Sequence, residues 1–88
     1  MSGSTHFTFY LNQAADIEIK IFSVDGRLIR HIMETGGNAG FNMIPWDGTD
    51  ERGDVPANGV YIYKMSARAY SGGKEIREEA LGRLIIMH

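Results

Sequence analysis

At 88 residues, 43% of them hydrophobic and 23% charged, the chain has the composition of a folded domain with material for one modest core. A formal net charge of −2, with basic and acidic residues interspersed, excludes the concentrated basic face that nucleic acid or an acidic membrane surface selects. Cysteine is absent, which removes both a disulfide framework and a cysteine-based zinc site. No apolar run reaches the roughly 18 residues that a membrane-spanning helix needs, so no membrane insertion is expected.

Taken in chain order, Thr5 to Leu11 alternates, with Phe7, Phe9 and Leu11 on one face and His6, Thr8 and Tyr10 on the other. That period marks a half-buried strand. After a short link, Asp16 to Phe22 alternates more cleanly, setting Ile17, Ile19 and Ile21 against Asp16, Glu18, Lys20 and Phe22. A helix would throw Ile19 to the far side of Ile17 and Ile21, so a strand is the better reading. Ser23-Val24-Asp25-Gly26 carries an Asp-Gly hairpin signal, and Arg27 to Met33 pairs back with a mixed second face that suggests a sheet edge. Gly36 to Gly40 reads as a flexible turn. Phe41 to Trp46 follows as a strand in which Pro45 donates nothing to a ladder, so it lies at an edge or ends there.

The stretch from Trp46 to Tyr63 is the centre of the arrangement. Asp47-Gly48 and Arg52-Gly53-Asp54 punctuate turns, Pro56 fixes φ, and Gly59 releases the chain into the strand of Val60 to Arg68. The buried indole of Trp46 requires an acceptor for its N–H, which such a loop can supply. Tyr61, Tyr63, Met65 and Ala67 face one way. The stretch is expected to be a corner that carries the chain from one sheet to another. Tyr70 to Lys74 forms a hairpin loop, and Glu75 to Met87 is expected to be one strand with a bulge or kink at Gly82, its Leu84 to Met87 run buried and closing the sheet. Turn signals at this spacing predict an all-β sandwich of six or seven short strands, a single domain over residues 1–88.

No catalytic constellation is visible. His6, His31 and His88 have no partners at metal-ligand spacing. No cysteine or glycine-flanked serine elbow supplies a nucleophile, and the glycine-rich stretches precede strands rather than the helix N-termini that cradle phosphate. Asp47, Asp50, Glu51 and Asp54 have the chemistry of a calcium loop but not its bidentate terminal Glu, and carboxylates are ordinary in solvated turns. Arg52-Gly53-Asp54 is the tripeptide read by integrins, yet turn-rich tripeptides recur by chance. Tyr61 and Tyr63 have the chemistry of a sugar platform, but tyrosines two apart are more often one packed face. No catalytic, cofactor-binding or metal-ligating residue is therefore assigned, and no cofactor is expected.

Two blocks carry a family resemblance. Asp16 to Arg30, D-I-E-I-K-I-F-S-V-D-G-R-L-I-R, and Trp46 to Tyr63, W-D-G-T-D-E-R-G-D-V-P-A-N-G-V-Y-I-Y, resemble in order and spacing the signature of FlgD-like (flagellar hook-capping type) immunoglobulin-like domains. The resemblance runs from Phe7 onward. It implies an all-β, immunoglobulin/fibronectin-III-like β-sandwich of about seven antiparallel strands that serves as a non-catalytic module at the C-terminus of a larger exported bacterial protein, secreted peptidases among them, related to the sorting domains of the type IX secretion route. Expected partners are neighbouring domains of the parent chain, secretion machinery or cell-surface components, with no nucleic acid. The expected location is the periplasm, outer-membrane surface or extracellular space. Met1 to His6 lacks the regions of a signal peptide, which fits a piece of a longer exported chain. The long Tyr70 to Leu81 hairpin and the weakly basic Arg83 to His88 tail depart from the compact sorting domains and favour a general accessory role. A glycan- or calcium-binding adhesion module and a hook-cap-like structural subunit are the alternatives.

Overall fold

The computed structural model describes residues 5–87. Its strands are β1 (Thr5–Leu11), β2 (Ala15–Ser23), β3 (Leu28–Gly37), β4 (Gly40–Trp46), β5 (Gly59–Ser71) and β6 (Lys74–Ile86). They form two antiparallel sheets, one of order β3-β2-β5-β6 and one pairing β1 with β4. Among the described residues the strands number six, within the six or seven expected from the turn spacing. The smaller sheet holds two of them.

The isoleucine stripe determines the centre. Ile17, Ile19 and Ile21 are the most deeply buried side chains, and β2 is hydrogen-bonded on both sides, to β3 and to β5. Burying each such side chain stabilises the fold by about 1.5–3 kcal/mol. From the small sheet Phe7, Ile44 and Trp46 descend onto this stripe, and Tyr61, Ala69 and Ile86 close it from β5 and β6. Phe7 meets Tyr63 edge to face, with ring centroids 5.3 Å apart, the geometry that aromatic quadrupoles favour. The side of Tyr61, Tyr63, Met65 and Ala67 is thus the packed side, as the alternation predicted.

Between β2 and β3 the chain turns through Val24, Asp25 and Gly26. Gly26 N–H donates to the Ser23 carbonyl at 2.9 Å and Gly26 has φ +90°, the left-handed position that glycine accepts without cost. Register then slips: Ile21 faces Arg30 but Phe22 faces Leu28, so Ile29 is an extra residue. The bulge turns Ile29 into the core, which accounts for the mixed faces read in this segment. A second slip lies between Ala15 and Ile17. Gly36 and Gly37 belong to β3 rather than to a loose turn. A Cβ on Gly37 would stand 2.8 Å from the Ala15 carbonyl oxygen, so only glycine allows that approach. β3 is an edge strand, and Pro45 lies exposed on β4.

Two expectations about β6 are corrected. It pairs with β5 without a register break from Gly59↔Ile86 to Ser71↔Lys74, so Gly82 makes no bulge. Gly82 sits opposite Tyr63, and a Cβ there would overlap the phenol ring. The glycine is a seat for the aromatic ring. The Leu84 to Met87 run is likewise not a buried strand closing the sheet. β6 is an edge, Leu84 and Ile86 turn inward, and Ile85 and Met87 are exposed.

Across the outer face of β2 and β3, His31 Nε2 lies 2.7 Å from Glu18 Oε2. This hydrogen bond, with smaller contributions from Lys20 and Arg68, holds the Glu18 carboxyl below its usual range. A carboxylate lowered in the folded state adds stability that is present above its unfolded value, 4.5, and disappears as pH falls through the folded value. Glu18→Gln is therefore expected to flatten the acid limb of the stability curve by removing a small contribution at pH 7, with the two proteins converging as pH falls below about 4.5. Urea midpoints collected between pH 3 and 7 test this, and parallel curves for both proteins would remove the pair from the acid response.

Candidate functional site

The corner between β4 and β5, residues 47–58, joins the small sheet to the large one and is organised by its own side chains. Asp47 Oδ1 accepts from the Thr49 N–H at 3.0 Å and from the Thr49 hydroxyl at 2.7 Å. These bonds hold the Asp47 carboxyl below its usual range. Asp50 Oδ1 accepts from the Arg52 and Asp54 N–H groups, each at 2.9 Å. Its backbone closes the same turn, with Asp50 N–H donating to Asp54 and Gly53 N–H to Asp50. Both are carboxylates capping local turns. Trp46 Nε1–H donates to the Thr49 carbonyl at 2.9 Å, so the corner supplies the acceptor that the buried indole needs.

The far end is held by Tyr61, whose hydroxyl donates to the Ala57 carbonyl at 2.7 Å. A buried tyrosine bonding back to the backbone a few residues upstream is a recurring corner in immunoglobulin-type sandwiches. Tyr61→Phe removes that bond while keeping the ring. It is expected to cost about 1–2 kcal/mol, read as a drop in melting temperature of roughly 4–16 °C for a domain of this size. A melting temperature within a degree of the parent's would show the hydroxyl to be idle.

The corner is also tied sideways to β3. Arg30 donates to the Asp50 carbonyl at 2.9 Å and to Thr49 Oγ1 at 3.2 Å, with Glu51 3.5 Å from its Nε. Glu51 Oε2 accepts from the His31 N–H and its own N–H donates to the Ile29 carbonyl. Sequence reasoning missed Arg30, Thr49 and Glu51 as a group. The available signal was the cation of Arg30 on the same strand face as Leu28 and Ile32, where a charge needs a partner. Between corner and β3 lies an open cleft of ≈ 360 Å³ whose walls include Arg27, Leu28, Asp54, Pro56 and Tyr61.

The residues weighed for chemistry do not meet. Asp47, Asp50 and Glu51 face their own loop and β3, and among the described residues no group of three or more Asp, Glu or His side chains is placed to hold a metal ion. Arg52, Gly53 and Asp54 are exposed on the turn. His6 is exposed opposite Pro45, His31 bonds Glu18, and His88 lies outside the described residues. Tyr61 and Tyr63 belong to the packed face rather than to a platform.

A family model described as the FlgD Ig-like domain matches residues 1–73. Among curated proteins none matches the chain. The solved structure of FlgD from Xanthomonas campestris, described in terms of hook capping essential for flagellar assembly, superposes with a TM-score of 0.70 at 21% identity, covering 92% of this chain and 58% of that one. FlgD from P. aeruginosa gives 0.65 at 20% identity, over 91% and 61%. Truncated FlgD from Helicobacter pylori gives 0.66 at 21%, over 92% and 60%. The likeness at these identities is one of fold, and the chain spans about three-fifths of the length of each structure.

Proposed function

The chain belongs to the FlgD Ig-like domain family, a non-catalytic type of module, and from that membership we propose that it is an accessory domain of a larger exported bacterial protein. In this reading it forms the C-terminal unit of its parent and supports, tethers or targets the neighbouring domain for secretion. The parent acts in the periplasm, at the outer-membrane surface or outside the cell. The observation that carries the reading is the way the corner spends its polar groups. Asp47, Asp50, Glu51 and Arg30 bind loop amides, carbonyls and one another, which builds a braced scaffold and leaves no convergent set of groups for chemistry.

Deleting residues 1–88 from the parent chain is the direct experiment. Secretion, surface retention or stability of the parent is expected to fall while the chemistry of its other domains persists. Unchanged secretion and stability would refute the proposal. A second reading, a structural subunit like the hook cap, is favoured by the superposition on FlgD structures. It predicts self-association, so sedimentation showing a monomer at high concentration counts against it.

A further inference from the structure

The outer face of the larger sheet, opposite the Ile17, Ile19 and Ile21 stripe, divides into two halves of different character. Toward the turn between β5 and β6 it is a web of ion pairs. Lys64 lies 3.5 Å from Glu79, Arg68 and Arg77 both reach Glu75, and His31 bonds Glu18. Toward the other end the face is apolar. Register sets Leu28, Phe22 and Ile62 side by side across β3, β2 and β5, with Val60 and Ile85 paired in the next row. Leu28 and Val60 are each 45% exposed, and Ile85 is 68% exposed. A sheet face that meets only water carries polar side chains, and a contiguous exposed apolar patch on a folded domain marks a contact surface.

Two cations border this patch, both on the side toward the ion-pair web. Arg83 stands opposite Ile62 and next to Ile85 along β6, and Lys20 stands next to Phe22 along β2. Neither is in an ion pair among the described residues, whereas Lys64, Arg68 and Arg77 each have an acid beside them. Lys20 acts on Glu18 through space, but that carboxylate is already bonded by His31 at 2.7 Å. The chain as a whole carries a net charge of −2, yet the charges set directly beside the patch are positive.

We propose that this half of the face docks an amphipathic helix of a partner polypeptide, with carboxylates along one border of its apolar stripe. The occupant is helical because β2 and β5 spend their backbone groups on neighbours at both sides. The face therefore offers a partner's backbone no hydrogen bonds, and a helix satisfies its own. Four strands roughly 4.8 Å apart span about 14 Å, which a helix covers in about ten residues. The two cations fix the sign and the side of the helix's charges. A second copy supplies neither part: its patch carries the same two cations, and none of its described residues is helical. This inference goes beyond the accessory-module reading and holds or fails apart from the parent's secretion.

The test uses the full chain and a fourteen-residue capped peptide of Ala, Leu and Glu. Its Leu residues are spaced three and four apart, its Glu residues border that stripe on one side, and a hydrocarbon staple on the far face holds it helical. A control peptide has Lys for every Glu. Amide and methyl shifts are followed by NMR at low salt as each is added. Shifts are expected at Phe22, Leu28, Val60, Ile62 and Ile85, with the Glu peptide bound about tenfold more tightly than the Lys peptide. Arg83→Glu, at an exposed position, is expected to cut that preference to about threefold or less, and Arg83→Lys to keep it. Ile85→Ser is expected to weaken the Glu peptide about fivefold to tenfold. No shift at millimolar peptide, shifts confined to the smaller sheet or the corner, or equal affinity for the two peptides overturns the proposal. A dimer formed through this face gives it to a second copy, and binding to phosphatidylglycerol vesicles without response to peptide gives it to a membrane. Either result also overturns it.

Discussion

Trp46→Ala is expected to lower stability by about 3–5 kcal/mol, a large share of what a domain this short holds. The indole is 3% exposed at the point where β4 ends and the corner begins. Truncating a buried tryptophan costs about 3–5 kcal/mol in lost burial and residual cavity. A domain of this length has roughly 4–13 kcal/mol to lose. The loss is compounded because the indole N–H is the donor to the Thr49 carbonyl, and Thr49 in turn is held by Asp47 and Arg30. Removing the ring therefore loosens the corner as well as the core. Trp46→Phe separates the two effects, since it keeps an aromatic ring and removes the donor. It is expected to cost about 1–3 kcal/mol. Far-UV circular dichroism against temperature and urea is the appropriate measurement, because the variants lack the tryptophan that fluorescence would follow. An alanine variant melting within a few degrees of the parent would show that the corner folds without its anchor.

Gly82→Val is expected to destabilise the domain by about 2–3 kcal/mol, against the usual preference of strands. Valine is the better strand residue by up to about 1 kcal/mol in an unobstructed position. Gly82 is not among the glycines at positive φ, so the backbone does not demand glycine there. The obstruction is steric. An added Cβ overlaps the Tyr63 ring, which in turn meets Phe7 edge to face, and forcing that ring aside overpacks the inter-sheet layer. A cross-strand aromatic ring covering an edge glycine is a known stabilising pair in sheets. Tyr63→Leu should also destabilise, but the double variant should lose about 1–2 kcal/mol less than the sum of the single losses, since the clash is absent once the phenol is gone. Strict additivity in urea melts would place the cost of valine elsewhere.

The legible part of the sequence was the part governed by local periodicity. Ile17, Ile19 and Ile21 alternate on a central strand with neighbours on both sides, and period two survives wherever one face is buried along its whole length. The corner was legible too, because glycine, proline and aspartate constrain the backbone by their own chemistry, and a buried indole without an acceptor is too costly to leave. What could not be read was any feature created by a residue far away in sequence. The role of Gly82 depends on Tyr63, and the inward turn of Ile29 depends on a register slip against β2. The burial of Leu84 to Met87 depended on how many strands lie above them.

By itself, then, the sequence determined strands, turns, an all-β sandwich and the aromatic anchors of its corner, since each follows from side-chain period and backbone freedom over a few residues. Only the tertiary structure decided which strands are edges, which glycine seats a ring, how Arg30 and Glu51 brace the corner, and where the smaller sheet stops short of the larger. Those are properties of register and of layer against layer, set by pairings between segments that the linear order leaves open.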